Sequence, residues 1–133
     1  MKDEDRYYAK LIDVLRHLAS DYETQVAVLP DFVVVADELA ENFDLVFIQL
    51  ADKIERAGLI SHNTWLRLKA LDDHFGRMSD QEDKRIWTLD ALRDDPEWAD
   101  IRAEAKSILR QMGEKEGRPD LSWNVYIGGG KTD

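Results

Sequence analysis

Asp72-Asp73-His74, with His62 twelve positions earlier, is the side-chain group in this chain with the residue types for chemistry. Carboxylates beside imidazole can hold a metal ion or pass protons. Their spacing argues against both. Asp72 and Asp73 are consecutive, so on a helix they point about 100° apart. His62 and His74 on one helix are separated by a rise of about 18 Å, too far to share an ion. No HExxH or paired ExxH pattern accompanies them.

Other reactive arrangements also fail on their own geometry. Gly128–Lys131 reads GGGK, but a phosphate loop needs the GxxxxGK[ST] spacing and a helix behind it, and only Thr132 and Asp133 remain after it. Ser20, Ser61, Ser79, Ser107 and Ser122 lack the glycine elbow that exposes a nucleophile. With no cysteine, thiolate chemistry and cysteine zinc sites are excluded. The expectation is a protein without catalytic activity, metal or cofactor.

What remains is chemistry of recognition. Asp37, Glu41 and Asp44 recur at steps of four and three, with Glu38 adjacent, which places carboxylates on one helix face. Between Asp31 and Glu55 there are seven acids and one base, so like charges repel unless something neutralises them. A basic partner protein could do so. The competing expectation is internal pairing with Arg102, Lys106 and Arg110, stepped by four near the C-terminal end. Trp65 and Trp98 fall on apolar stripes and are assigned to the core. Trp87 and Trp123 fall outside the long helices and are the aromatic contact candidates, although tryptophan is buried on average. The predicted partner-binding set is Asp37, Glu38, Glu41, Asp44, Trp87 and Trp123.

The elements that must position these residues are helical. Tyr8, Leu11, Leu15, Leu18 and Tyr22 form one stripe, continued by Val26 and Leu29, which predicts a first helix running close to Pro30. A rival reading makes residues 25–36 a small hairpin, giving an α+β fold. Phe32, Ala36, Leu39, Phe43, Val46, Leu50 and Ile54 predict a long, central second helix capped by Asp31 and stopped at Gly58. Trp65, Leu68, Leu71 and Phe75 predict a third, capped by Ser61 or Asn63 and ended by Gly76. Ser79 and Glu82 have capping-box spacing for a short polar helix, and Thr88 could cap another. Asp95-Pro96-Glu97 is a strong start for the last helix, closed by Gly113. The prediction is an all-α bundle of about five helices over 1–113, with an extended or partly disordered C-terminal tail over 114–133. Alternation at Trp123, Val125 and Ile127 allows a short strand or a docked extended segment in that tail.

The totals fit this picture. At 133 residues with 44% hydrophobic side chains, one domain can fill a core without staples. Charged residues reach 35%, above the usual quarter, which favours solvated helices. The acidic, polar start MKDEDRYYAK lacks a secretory pattern, and no apolar run approaches a membrane span, so a cytoplasmic location is expected. A net charge of −10 repels phosphate backbones and attracts basic proteins. The functional expectation is a small acidic protein-binding module, in its concrete form a bacterial immunity- or antitoxin-type inhibitor of a basic toxin. The alternative is a self-associating structural or regulatory helical protein, with a homodimer as its simplest form. Neither nucleic acid nor membrane is an expected partner.

Overall fold

Burial at three- and four-residue steps organises the chain into helices joined by short capped turns. In a computed structural model that describes residues 2–124, these are α1 (Asp3–Ala19), α2 (Tyr22–Ala27), α3 (Val35–Arg56), α4 (His62–Asp80), α5 (Leu89–Asp94) and α6 (Pro96–Gln111). A 3-10 turn at Lys84–Trp87 precedes α5, and no strand occurs among the described residues. The fold is therefore all-α, and the hairpin reading of residues 25–36 is overturned.

The four long helices close a ring. α1 packs on α3 and α6, and α4 packs on the same two, so α3 and α6 sit at opposite corners. Leu11, Leu15 and Leu18 of α1 meet Leu39, Phe43 and Ile54 of α3, Leu68 and Leu71 of α4, and Ile101 and Ile108 of α6 in one buried cluster. A file of aromatic rings threads it: Trp65–Phe47 at 5.6 Å, Phe47–Phe43 at 6.2 Å, Phe43–Phe75 at 6.0 Å, Phe75–Trp98 at 5.9 Å and Trp98–Trp87 at 5.8 Å. Such pairs add about 0.5–1.5 kcal/mol each beyond area burial. The Trp98 indole N–H donates to the Ile86 carbonyl at 2.7 Å, so the file ends by fixing the 3-10 turn that carries Trp87.

Several predicted boundaries move. The first helix breaks at Ser20-Asp21 instead of running to Pro30. Asp21 accepts from the Thr24 amide and starts α2, while the Gln25 side chain donates to the His17 and Leu18 carbonyls at the end of α1. Phe32 lies outside α3, whose N-cap is Val34, not Asp31. The Val33 amide closes a turn onto Pro30, and burial of Val35 and Leu29 sets the start of the helix. α4 passes through Gly76, because the buried Met78 favours one more turn and a helical glycine costs only about 1 kcal/mol. Ser79 thus belongs to the last turn of α4, and Asp83 caps the 3-10 turn.

Ser61, Thr88 and Asp95 cap α4, α5 and α6 as expected. Gly58 and Gly113 come after α3 and α6 at φ 78° and 75°, the left-handed conformation that favours glycine. The tail to Asn124 runs back over the bundle. The Tyr8 hydroxyl donates to Glu114 at 2.8 Å, Arg16 to the Lys115 carbonyl at 2.9 Å, and Leu121 is buried. Val125 and Ile127, the other residues of the proposed alternating segment, lie outside the described residues, as does GGGK.

Candidate functional site

α3 carries the acidic row because its N-terminal half buries Val35, Ala36, Leu39 and Phe43 and leaves the opposite face to carboxylates. Asp37 and Glu38 sit in the first turn, where the helix dipole favours negative charge. Glu41 and Asp44 are exposed. Among the described residues, none of these four makes an ion pair. Partial burial, then the charges of Glu41 and Asp37, raise the pKa of Glu38. Asp72 on α4 joins the row from the side: burial, then contact with Asp44, then the charges of Asp44 and Asp73, push it up to about 7.

The basic row on α6 does not cover these acids. Its corner of the ring is diagonal to α3. Arg102 turns toward α2, donating to Gln25 Oε1 at 3.1 Å and the Leu92 carbonyl at 3.0 Å. Lys106 lines a groove with Arg16, Asp21 and Arg118. The expectation of internal neutralisation from α6 is overturned by that placement.

Trp87 supplies the groove beside the acidic row. A cavity of about 320 Å³ is lined by Asp37, Ala40, Glu41, Ser79, Lys84 and Trp87. Lys84 is the one base of that wall, and its Nζ donates to the Ser79 carbonyl at 2.7 Å. Trp87 also lines a second cavity, of about 340 Å³, with Val26, Leu29, Val33, Val34 and Leu89. Val34 and Leu89 are 58% and 48% exposed at its rim, a pair that sequence spacing did not single out. Leu89 directly succeeds the Thr88 cap and lies two positions from Trp87, which was the available signal.

Trp123 goes elsewhere. It packs near α1, with Lys10 Nζ 5.6 Å from its ring centroid, and the neighbouring Asn124 donates to Asn42 on α3. Its indole N–H is buried and makes no hydrogen bond among the described residues. On the same side of α1, burial raises the pKa of Asp13, opposed by the hydrogen bond it accepts from the Asp120 amide. The groove therefore unites Asp37, Glu41 and Trp87 of the predicted set. It leaves Glu38 and Asp44 on the adjoining helix surface and Trp123 apart.

The Asp72-Asp73-His74 group is dispersed. His74 is held between Glu104 at 2.9 Å and Glu97 at 3.1 Å, tying α4 to α6, while Lys69 pairs with Asp73. His62 contacts Glu55 at 3.0 Å and stacks on Trp65. Among the described residues no three or more His, Cys, Asp or Glu side chains are grouped to hold a metal ion.

Fold and groove together define the class: a small all-α bundle, with no helix among the described residues long and apolar enough to cross a membrane. No family model, curated protein or solved structure matches the chain.

Proposed function

We propose that the chain is a small acidic protein-binding module that docks a basic partner at the Trp87 groove and the adjoining face of α3. The concrete form is an inhibitor of a basic toxin, of the bacterial immunity or antitoxin type, acting in the cytoplasm by covering the toxin's cationic surface. The observation that carries this reading is the meeting of Asp37, Glu41 and Trp87 in one groove, beside carboxylates that make no ion pair among the described residues. Such carboxylates attract a cationic surface and speed the encounter, and a half-buried tryptophan is the side chain most suited to anchor it.

The test is capture of partners from native cells by the wild-type chain and by a triple variant, Asp37→Asn, Glu41→Gln and Trp87→Ala. A basic protein held by the wild type, released by added salt and lost in the variant supports the reading. Affinity and salt dependence that stay the same in the variant reject it. A second reading, self-association, is favoured by Leu45 and Ile48, which stand 48% and 66% exposed on α3. Light scattering that finds a monomer at every concentration removes it.

A further inference from the structure

We infer that Leu45 and Ile48 form the apolar centre of the docking face, and that the surface covering them belongs to a cationic protein and not to a second copy of this chain. The inference rests on the protein-binding reading and adds which side chains anchor the partner and what chemistry the partner presents to them.

The pair itself is the first observation. Among the described residues Ile48 is the most exposed large apolar side chain, at 66%, and Leu45, one turn earlier on α3, is 48% exposed. Both stand on the outward side of a helix, which offers a small molecule no enclosure. What buries them is the surface of another macromolecule.

The second observation is the charge around the pair. Glu41 lies four residues before Leu45 and Asp52 four after Ile48. At about 100° per residue, Glu41, Asp44, Leu45, Ile48 and Asp52 share an arc of about 100° on the helix surface. The three acids are exposed and make no ion pair among the described residues. No base occurs between Glu41 and Asp52. Beyond that span, Lys53 is turned onto the Tyr7 ring and Lys69 of α4 pairs with Asp73, while Arg56 lies a turn past Asp52 and ends the acidic face. Glu41 also lines the Trp87 groove, so face and groove adjoin.

Charge then selects the occupant. Nucleic acid and anionic membranes are repelled by these carboxylates. A second copy is opposed for the same reason. Two α3 helices packed antiparallel about the middle of the pair set Glu41 of each against Asp52 of the other, and a parallel packing sets each acid against itself. Like charges opposed across an interface suppress a partner. A protein surface with an apolar side chain among lysines and arginines meets the apolar centre and the acidic rim together.

The test measures binding of labelled peptides to the full chain by amide NMR. The probe alternates leucine and lysine, and its controls replace leucine by serine or lysine by glutamate. The expected result is that the probe shifts amides around Leu45 and Ile48, and that Leu45→Ser with Ile48→Ser weakens it about tenfold or more, as for an anchor residue. Both side chains are exposed, so these changes leave the core intact. Absence of binding at about 1 mM probe overturns the inference. If the serine peptide binds equally and the Leu45/Ile48 variant is without effect, while Asp37→Asn with Glu41→Gln weakens binding, the apolar centre is wrong and the basic-partner reading survives. If the glutamate peptide binds as well as the lysine one, charge recognition fails, and the proposed function with it. Sedimentation of the wild type as a dimer in about 0.15 M salt, lost in the Leu45/Ile48 variant, makes a second copy the occupant. NMR contacts from Ile48 to residues 125–133 in the free chain make the chain's own end the occupant, and either result overturns the inference.

Discussion

The carboxyl of Asp72 on α4 lies against that of Asp44 on α3, joining two acids across the seam between neighbouring helices. Burial, and then this neighbour, push Asp72 up to about 7. A raised carboxyl pKa means that the folded chain binds a proton the unfolded chain has released. The stabilising contribution is full below the unfolded value near 3.8 and is lost as pH rises through about 7. Asp72→Asn should therefore be more stable than wild type at pH 8, by about 1 kcal/mol after allowing for solvent screening. The gap should close toward pH 4. Urea unfolding of both proteins at these two pH values decides it, and an equal or less stable variant at pH 8 counts against the contact.

His17 predicts a trend of opposite sign. It is buried in α1, where its Nε2–H donates to the Gln25 carbonyl at 3.0 Å, and burial lowers its pKa. The unfolded chain then binds the extra proton as pH falls below about 6.5. Stability contributed by neutral His17 is present above that value and lost as pH drops through the lower folded one. Because Asp72 gains where His17 loses, the wild-type profile near neutrality is a partial cancellation. In the Asp72→Asn background the fall below pH 6.5 should steepen, and a further His17→Gln change should flatten it. A slope unmoved by His17→Gln assigns the acid loss to other groups.

The acidic row was legible because three- and four-residue spacing is local to one helix, and Asp37, Glu41 and Asp44 need nothing else to share a face. The convergence of Trp87 on that row was not. It depends on the aromatic file through Phe75 and Trp98, which links residues remote in sequence. The diagonal placement of α6 was equally hidden, since neighbours in a four-helix ring are set by packing and not by charge pattern. The break at Ser20-Asp21 was masked because Tyr22, Val26 and Leu29 keep the helical period across it. The Asp95-Pro96 start was legible because cap, proline and dipole all act within one turn.

Gln25 provides a third prediction. Its buried amide donates to the His17 and Leu18 carbonyls and accepts from Arg102, so one side chain satisfies the end of α1 and a guanidinium of α6. Gln25→Leu keeps the volume and strands those groups. The expected loss is about 2 kcal/mol, within the range for buried polar groups left unsatisfied. It should be read as a shift in denaturation midpoint at unchanged slope. A loss under about 0.5 kcal/mol, the size of an ordinary surface change, would mean that water replaces the network.

Leu121 tests whether the segment after Gly113 belongs to the folded unit. It is 7% exposed, and the chain around it is tied down at both sides: the Asp120 amide donates to Asp13 and the Asn124 side chain to Asn42. If the tail were an independent appendage, Leu121→Ala would loosen it locally and leave the helices untouched. The packing implies instead that α1 and α3 lose an apolar cover. Leu121→Ala should lower global stability by about 2 kcal/mol, the low end for buried leucine truncation because the site lies at the edge of the core. Hydrogen exchange separates the two outcomes. Faster exchange confined to residues 114–124 favours an appendage, whereas faster exchange that extends into the centre of α1 and α3 shows a tail unfolding with the bundle.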